Sequence, residues 1–260
     1  MVWMSWAEGT ILCCMTSWLY LEDDMMSRVQ WRLFHMATEL LRKTPAEQRW
    51  LTRQQQDPFV KSARQQNYRC RSAFKLLEID EKHGILRPGI SVLDCGAAPG
   101  AWSQVAVDRV NATGSDLKAP VGSVLGVDLS HIPLLDGAVF LSHCDLLEPK
   151  VQARIQESLP RGEARVILSD VAPNASGIRE LDQQQFVELF LCILGLAERV
   201  LSPNGTLLCK FWDGANTCHL QKRLTKLFGE VKILKPSASR KESSEIYFLA
   251  KRFRRICASN

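Results

Sequence analysis

Short apolar runs alternate with helical patterns along most of this chain. From residue 57 onward, strand-like runs recur, and between several of them the apolar positions are spaced as on one face of a helix. These patterns predict strands at 91–94, 124–127, 139–141, 165–169, 206–211, 231–234 and 245–250, and helices at 72–83, 103–107, 183–200 and 220–228. Strands that alternate with helices indicate an α/β fold, with a mostly parallel sheet covered on both faces.

The first 49 residues do not share this pattern. Residues 10–21 form an apolar run that is too short to span a bilayer, and residues 25–43 resemble an amphipathic helix carrying basic and acidic side chains. We therefore expect two parts, a leader over residues 1–49 and a folded domain over residues 50–260. The leader is either a targeting segment or a stretch without a fixed fold, and the sequence leaves both interpretations open.

Composition is that of a soluble globular protein, with 46% hydrophobic and 23% charged residues. The net charge of +5 fits an anionic partner such as nucleic acid, although a mildly basic soluble protein has the same balance. The nine cysteines include no C-x-x-C pair, which favours buried thiols in a reducing compartment over zinc ligands or disulfides. Those in apolar patterns are Cys95, Cys144, Cys192 and Cys209.

Two polar turns follow apolar strands. Residues 94–102 (Asp-Cys-Gly-Ala-Ala-Pro-Gly-Ala-Trp) follow the first strand, and residues 169–174 (Ser-Asp-Val-Ala-Pro-Asn) follow the fourth. The carboxyl ends of parallel strands are where ligands bind in such sheets. Gly96 and Gly100 do not have the G-x-G-x-x-G spacing of dinucleotide-binding dehydrogenases, which argues against that class. We expect Trp102, at the mouth of the turn, to pack on a planar ligand.

Two acids end the next strands, Asp128 after the second and Asp145 after the third. In nucleoside-binding α/β folds, an acid at the first of these positions accepts hydrogen bonds from ribose hydroxyls, and the second can reach the base. One such acid alone could equally be a helix cap. Two acids at the same sheet edge favour a nucleoside ligand.

Four charged residues are candidates for chemistry: Lys75, Asp170, Lys210 and Glu245. Lys210 lies inside an apolar strand, where a buried lysine is costly unless it is paired or used. Asp170 ends the neighbouring strand and is its natural partner. Lys75 projects from the helix before the first strand, and Glu245 begins the last strand.

From about Trp50 to Phe253 the chain resembles the FtsJ/RrmJ family of ribosomal RNA 2′-O-ribose methyltransferases. The motifs that carry the resemblance occur in the family's order, at residues 68–75, 94–104, 169–174, 209–210 and 243–245. The segments 50–61 and 239–245 resemble the mitochondrial branch, which modifies a uridine of large-subunit rRNA. Ala101 and Val171 stand where Gly and Met are usual, and neither position belongs to the four charged residues.

The resemblance implies a Rossmann-like, S-adenosylmethionine-dependent methyltransferase fold, a seven-stranded, mostly parallel sheet with an antiparallel last strand. It implies transfer of a methyl group from S-adenosylmethionine to the 2′-hydroxyl of a ribose, a uridine of mitochondrial large-subunit rRNA, in support of ribosome assembly. It makes Lys75, Asp170, Lys210 and Glu245 the catalytic tetrad. The cofactor-binding residues implied are Gly96, Pro99, Gly100, Ala101, Trp102, Asp128, Asp145 and Asp170.

The implied partner is large-subunit rRNA or a pre-ribosomal particle, and no metal is required. We expect a mitochondrial monomer without stable membrane insertion. Basic residues on both sides of the tetrad are expected to contact RNA phosphates. They are Lys61, Arg64, Arg69, Arg71, Arg240 and Lys241.

Alternatives remain at this stage. Lys210 could act as a neutral base, or as an ammonium that orients the attacking oxygen while another group takes the proton. A relative of the same fold could instead methylate transfer RNA or a messenger cap. A non-catalytic ribosome-assembly factor is the third interpretation, which the intact tetrad disfavours and a methyl-transfer assay would test.

Overall fold

The computed structural model describes Gln48 and residues 56–173, 176–240 and 242–255. Except for Gln48, the expected leader lies outside these residues, as do Asn174 and Lys241. The residues after Gln54 form one unit of the chain, to which all the elements below belong.

A seven-stranded sheet is the centre of this unit, in the order β3-β2-β1-β4-β5-β7-β6. Neighbouring strands from β3 to β5 pair in parallel, whereas β7 runs antiparallel to both β5 and β6. This confirms the predicted sheet with its antiparallel last strand. The strands are β1 (Ser91–Cys95), β2 (Ser123–Asp128), β3 (Ala138–Ser142), β4 (Ala164–Ser169), β5 (Leu201–Trp212), β6 (Phe228–Leu234) and β7 (Glu245–Phe253).

Six α-helices accompany the sheet in the described ranges. α2 ends at His83 as the sequence predicts, because Gly84 adopts a left-handed conformation (φ 57°) and donates its amide hydrogen to the Asp80 carbonyl. In these ranges no helix has the length and apolar character needed to cross a membrane. The helices are α1 (Pro58–Gln65), α2 (Ala73–His83), α3 (Ala101–Arg109), α4 (Pro149–Ser158), α5 (Arg179–Val200) and α6 (Thr217–Leu227).

Alternating residues of the strands separate two apolar layers, one on each face of the sheet. On β4, Ile167 packs on the face covered by α4, α5 and α6, while Leu168 packs on the face covered by α2 and α3. Phe186 and Phe190 of α5 lie against Phe211 of β5. Among the cysteines of these layers, Cys95, Cys144 and Cys209 are buried and unpaired, as expected, and Cys192 is half-buried.

Two helices, α1 and α4, go beyond the prediction. α1 begins at Pro58, directly after Asp57, whose carboxylate accepts the amide hydrogen of Phe59. α4 also begins with a proline, Pro149. Both helices are short, with 8 and 10 residues, so each offers few positions over which a helical spacing can be recognised.

The connections also differ from strict alternation. Residues 129–137, between β2 and β3, contain no helix. Residues 203–205, which precede the predicted strand 206–211, lie inside β5 at an irregularity in its pairing, since Ala164 pairs with Leu201 but Val166 pairs with Thr206. A proline and a left-handed Asn204 (φ 60°) disrupt the regular pairing there without ending the strand.

Candidate active site

The four charged residues singled out from the sequence lie in one cluster. Lys75 Nζ is 2.8 Å from each carboxylate oxygen of Glu245. Lys210 Nζ is 3.1 Å from Asp170 Oδ1 and also donates to the Asp170 carbonyl oxygen. Lys75 Nζ and Asp170 Oδ1 are 3.9 Å apart, which joins the two ion pairs. We call this cluster the tetrad.

Four different elements supply the tetrad. Lys75 lies in the first turn of α2, Asp170 directly follows β4, Lys210 lies near the end of β5, and Glu245 is the first residue of β7. Because β7 runs antiparallel to β5, its first residue lies at the carboxyl edge of the parallel strands. Side-chain alternation on β5 turns Lys210 away from the α5 layer, toward the face that α2 covers.

Burial strengthens the electrostatic interactions within these ion pairs relative to those of surface ion pairs. The tetrad side chains are between 9% and 17% exposed. Charges in such surroundings are weakly screened, so removing one partner leaves another charge without compensation. Two ammonium groups and two carboxylates therefore hold one another in fixed positions.

Tyr247 is part of this cluster, although the sequence analysis did not single it out. Its hydroxyl donates to Asp170 Oδ1 at 2.6 Å and accepts from Lys75 Nζ at 3.1 Å. Burial, followed by the charges of Asp170 and Glu245, raises the pKa of Tyr247 well above its ordinary value, so the phenol stays protonated. The available signal was its position two residues after Glu245, on the same face of a strand.

Ser239 is a second missed neighbour. Its hydroxyl donates to Glu245 Oε1 at 2.7 Å. It lies in the connection between β6 and β7, within the segment that resembles the mitochondrial branch. Glu245 is thus oriented from two sides, by Lys75 and by Ser239.

The glycine turn after β1 is shaped by close approach of other backbone. Gly96 has φ 75°, and a Cβ there would lie 2.9 Å from the Val171 Cα. Gly100 has φ 104°, and a Cβ there would meet the guanidinium of Arg69. Both positions need glycine, for conformation and for space. The two polar turns singled out from the sequence therefore lie against each other.

A cavity of about 320 Å³ opens between these turns. Four of the residues expected to bind the cofactor line it: Gly96, Asp128, Asp145 and Asp170. Asp170 also belongs to the tetrad, so the cavity and the tetrad are contiguous. Other lining residues, which the sequence analysis did not assign, include Ala98, Ala172 and Leu189.

The two strand-end acids of the cavity are held by backbone amides. Asp128 accepts from the Ala98 amide at 2.9 Å and from the Ser130 amide at 2.7 Å. Asp145 accepts from the Leu147 amide at 2.9 Å. These bonds fix both carboxylates at the cavity wall, and each carboxylate can accept further donors.

Pro99, Gly100, Ala101 and Trp102 are not among the residues that line this cavity. Trp102 is only 2% exposed, and its indole N–H donates to the Ser72 carbonyl oxygen at 2.8 Å. Its ring lies 5.8 Å from the ring of Tyr247. The expectation that this ring packs on a planar ligand is therefore wrong. Trp102 is a core residue that packs beside the tetrad.

Asp94, in β1 just before the glycine turn, was not assigned a role from the sequence. Its Oδ2 accepts from the Ser103 hydroxyl at 2.7 Å, while its buried Oδ1 has no hydrogen-bond partner among the described residues. Burial raises the pKa of Asp94 to about 7, and the charges of Asp170 and Asp128 add to the effect.

The basic residues expected to contact RNA divide into two groups. Arg69 donates to the carbonyl oxygens of Pro99, Pro133 and Leu134, which fastens the glycine turn to the connection between β2 and β3. Arg71 pairs with Asp57 and donates to the Ala238 carbonyl. These two guanidinium groups are thus engaged within the protein.

Lys61 and Arg64 of α1 are exposed, and Arg240 lies 4.0 Å from Asp57. A second cavity, of about 260 Å³, adjoins the tetrad on this side. Its lining includes Arg71, Arg240, Lys75 and Glu245. Lys241 lies outside the described residues. Arg71, before α2, and Arg240, before β7, therefore line the approach to the tetrad.

Comparisons with known proteins agree with this architecture. The sequence model of the FtsJ-like methyltransferase family matches residues 68–253. The mitochondrial rRNA methyltransferase 2 of Drosophila melanogaster is 45% identical over 212 residues, covering 82% of this chain and 85% of that protein. The ribosomal RNA large subunit methyltransferase E of Ruegeria pomeroyi is 44% identical over 206 residues, 79% of this chain and 88% of that protein.

A similar fold has been solved. A structure described as a ribosomal RNA methyltransferase from Plasmodium falciparum superposes with a TM-score of 0.62 at 28% identity, covering 72% of this chain and 98% of that one. The family match spans β1 to β7, the glycine turn and all four tetrad residues. The chain therefore belongs to the FtsJ-like methyltransferase family.

Proposed function

We propose that this enzyme transfers a methyl group from S-adenosylmethionine to the 2′-hydroxyl of a uridine ribose in mitochondrial large-subunit rRNA, in support of ribosome assembly. The observation that carries the proposal is the contiguity of the tetrad with the cavity lined by Asp128, Asp145 and Asp170. A nucleoside-sized cavity and a buried pair of lysines meet at Asp170. We assign the methyl-transfer activity to a domain over residues 50–260, preceded by a leader over residues 1–49.

The cavity fits an adenosyl cofactor on three features. Gly96 leaves room for backbone to approach a ligand, and the Asp128 and Asp145 carboxylates retain capacity to accept from ribose and base donors. The unpartnered Oδ1 of Asp94 supplies a further acceptor behind the turn. When bound, S-adenosylmethionine supplies a methyl group made electrophilic by its sulfonium. Gly96, Asp128, Asp145 and Asp170 would hold it, and residues 99–102 would shape the turn.

Lys210 is the residue we assign to the attacking oxygen. An ammonium has three N–H donors, and two acceptors, Asp170 Oδ1 and the Asp170 carbonyl, already face Nζ. The third donor can hold the ribose oxygen with its lone pair directed at the methyl carbon. In this arrangement the hydroxyl proton leaves to solvent or to an RNA group, whereas a neutral Lys210 would take it at Nζ.

The other three residues position Lys210 and the ribose. Asp170 orients Lys210 and receives the Tyr247 hydroxyl on the same oxygen. Lys75 and Glu245 form the outer pair, which faces the cavity lined by Arg71 and Arg240. Phosphate groups held by cations at that approach would place one ribose over the tetrad.

The choice of substrate and compartment is supported by the named relatives. The Drosophila melanogaster and Caenorhabditis elegans proteins, 45% and 39% identical, are both named mitochondrial rRNA methyltransferase 2. The bacterial relatives are named for the large ribosomal subunit. Large-subunit rRNA or a pre-ribosomal particle is the corresponding partner, and we assign a mitochondrial location and a monomeric state.

The proposed function is tested by mapping 2′-O-methylation on mitochondrial large-subunit rRNA from cells with and without the protein. Loss of one modified uridine, restored by the wild-type chain but not by a Lys210→Ala chain, is the expected result. If cells without the protein keep an unchanged rRNA methylation map but lose a methyl group from transfer RNA or from a messenger cap, rRNA is not the substrate. An rRNA map restored equally by both chains would refute catalysis by Lys210.

A further inference from the structure

A further cavity lies at the other edge of the sheet. It has a volume of about 600 Å³ and lies where β1, β4 and β5 begin and β7 ends. Thr206 lines it, while Lys210 of the tetrad is four residues further along β5, which corresponds to ~13 Å. Ligands of parallel α/β sheets usually bind at the carboxyl edge, so this amino-edge cavity is separate from the proposed catalytic site.

The lining of this cavity is cationic. Arg87 precedes β1, Arg165 is on β4, and Lys251 and Arg252 end β7. No aspartate or glutamate is among the described residues that line it. The charged side chains of the lining are therefore all cationic, which favours an anionic ligand.

Three of these cations keep donors available. Arg87 has no hydrogen bond or ion pair with any described residue. Arg165 donates to the Pro203 carbonyl and Lys251 to the His83 carbonyl, and neither has a carboxylate within ion-pair distance among the described residues. Among the cations of this cavity, Arg252 is the one that forms an ion pair with a described carboxylate, Glu230 at 3.6 Å. Neutral donors accompany them, the Asn204 amide and the Thr206 hydroxyl.

The charges in the cavity also disfavour one another. The pKa of Lys251 is lowered, mainly by burial. The charges of Lys232 and Arg87 lower it further, and the carboxylates of Glu230 and Asp80 oppose them. An anion between Arg87 and Lys251 would relieve the repulsion between these two cations. Guanidinium groups bind phosphate through two parallel hydrogen bonds, whereas ammonium acts as a point charge.

We infer that this amino-edge cavity is a phosphate-binding site for a ligand with more than one phosphate group. The hydrogen-bond donors of the lining are guanidinium and ammonium groups, one side-chain amide and one hydroxyl, all of which can bind phosphate oxygens. The cavity volume of about 600 Å³ exceeds what one phosphate group requires. The phosphates belong either to the backbone of an RNA or to a free phosphate compound. The site is independent of methyl transfer, because its evidence and its test concern binding at the opposite edge.

The test measures binding of two probes to the full chain by titration, inorganic pyrophosphate by calorimetry and a fluorescent single-stranded RNA oligonucleotide by anisotropy. Arg87→Glu and Arg165→Gln should each weaken the binding of at least one probe by ~10-fold or more, the effect of losing one charge-assisted hydrogen bond. Arg223→Glu is the matched control, since Arg223 is an exposed arginine of α6 outside the cavity. Melting temperatures establish that the variants fold.

Each outcome bears on the inference. Pyrophosphate binding that is weakened by Arg87→Glu and by Arg165→Gln supports the site. If the same variants leave RNA affinity unchanged, the site is assigned to a free phosphate compound. RNA binding that depends on both arginines and is displaced by pyrophosphate supports the site and assigns it to backbone phosphates. Saturable binding of neither probe, or equal weakening by Arg223→Glu, overturns it.

Discussion

Lys210 shows how one side chain acquires its proposed role from its surroundings. Alternation along β5 puts Leu207, Cys209 and Phe211 into the α5 layer and leaves Lys210 on the other face, opposite Tyr247 of β7. There it meets Asp170 instead of solvent. A lysine in such a place is available to the proposed reacting oxygen, and it is not among the residues that line the cofactor cavity.

Lys210→Ala should therefore lower the rate of methyl transfer by ~10²–10⁴-fold, the usual contribution of an acid–base group, with little change in cofactor affinity. Lys210→Arg should not restore the rate, because a guanidinium stays protonated and its planar fork does not fit a point-charge site. Single-turnover transfer to the rRNA substrate measures the rate, and calorimetry measures the affinity. Comparable turnover by either variant would contradict the assignment.

Asp94 gives the stability a pH dependence. Its pKa is about 7 in the folded protein, against an ordinary value of 3.8, so between these values the folded state binds a proton that the unfolded state does not. Its contribution to stability is complete below pH 3.8 and is lost as the pH rises through about 7. Protonated, the carboxyl remains a neutral buried group, whereas ionised it is a buried charge.

Asp94→Asn should therefore flatten the fall in stability across this pH range and stabilise the protein relative to wild type at pH 8. One proton can change the free energy of unfolding by at most ~1.4 kcal/mol per pH unit. Denaturant unfolding at a series of pH values measures the slope. Asp108→Asn, at an exposed position of α3, is the control and should keep the wild-type profile.

At the scale of elements, the site depends on the turns at strand ends. Asp128, the last residue of β2, accepts two backbone amides, one from the glycine turn and one from the following connection. Arg69 fastens the same two segments through three carbonyl oxygens. The geometry of the cofactor cavity is thus set by side chains that bind backbone.

Asp128→Ala should weaken S-adenosylmethionine binding by ~1–3 kcal/mol, the cost of leaving polar groups unpaired. Asp128→Asn should weaken it less, since an amide oxygen still accepts one of the two backbone donors. Calorimetry gives the affinities, with Asp136→Ala as control because Asp136 is an exposed acid of the same connection. Equal affinities for wild type and Asp128→Ala would remove this residue from the cofactor site.

At the scale of the whole molecule, the family match begins at Tyr68 and the described domain begins with α1, both after the expected leader. The elements that carry the tetrad extend from α2 to β7, and the described contacts of the tetrad lie within residues 75–247. Catalysis should therefore not need the first 49 residues, whereas targeting should.

Deletion of residues 1–49 should leave methyl transfer in vitro within ~2-fold of wild type, because the described side-chain contacts of the proposed acid–base groups all lie downstream of the deleted segment. The same deletion should abolish mitochondrial accumulation of a fluorescently tagged chain in cells. Transfer assays and microscopy give the two readouts. A truncated chain that does not fold would assign the leader to the domain.

The sequence by itself determined the fold class and the identity of the tetrad. Short apolar runs located all seven strands, although β5 begins five residues earlier than predicted, and Gly84 marked the end of α2, because these signals are local. Lys210 stood out because a lysine inside an apolar strand is unusual, and the resemblance to the FtsJ/RrmJ family implied the tetrad as a set. Local signals also account for the misses, since α1 and α4 are only 8 and 10 residues long and offer few positions over which a helical spacing can be recognised.

Only the tertiary structure decided which residues each side chain contacts, and at what distance. The register of β5 against β7 brings Tyr247 onto Asp170, and contact between helices buries Trp102 instead of exposing it to a ligand. Long-range packing also commits Arg69 and Arg71 to backbone and collects Arg87, Arg165 and Lys251 at one cavity. These pairings join residues that are distant in sequence, and their geometry follows from how the strands and helices pack together.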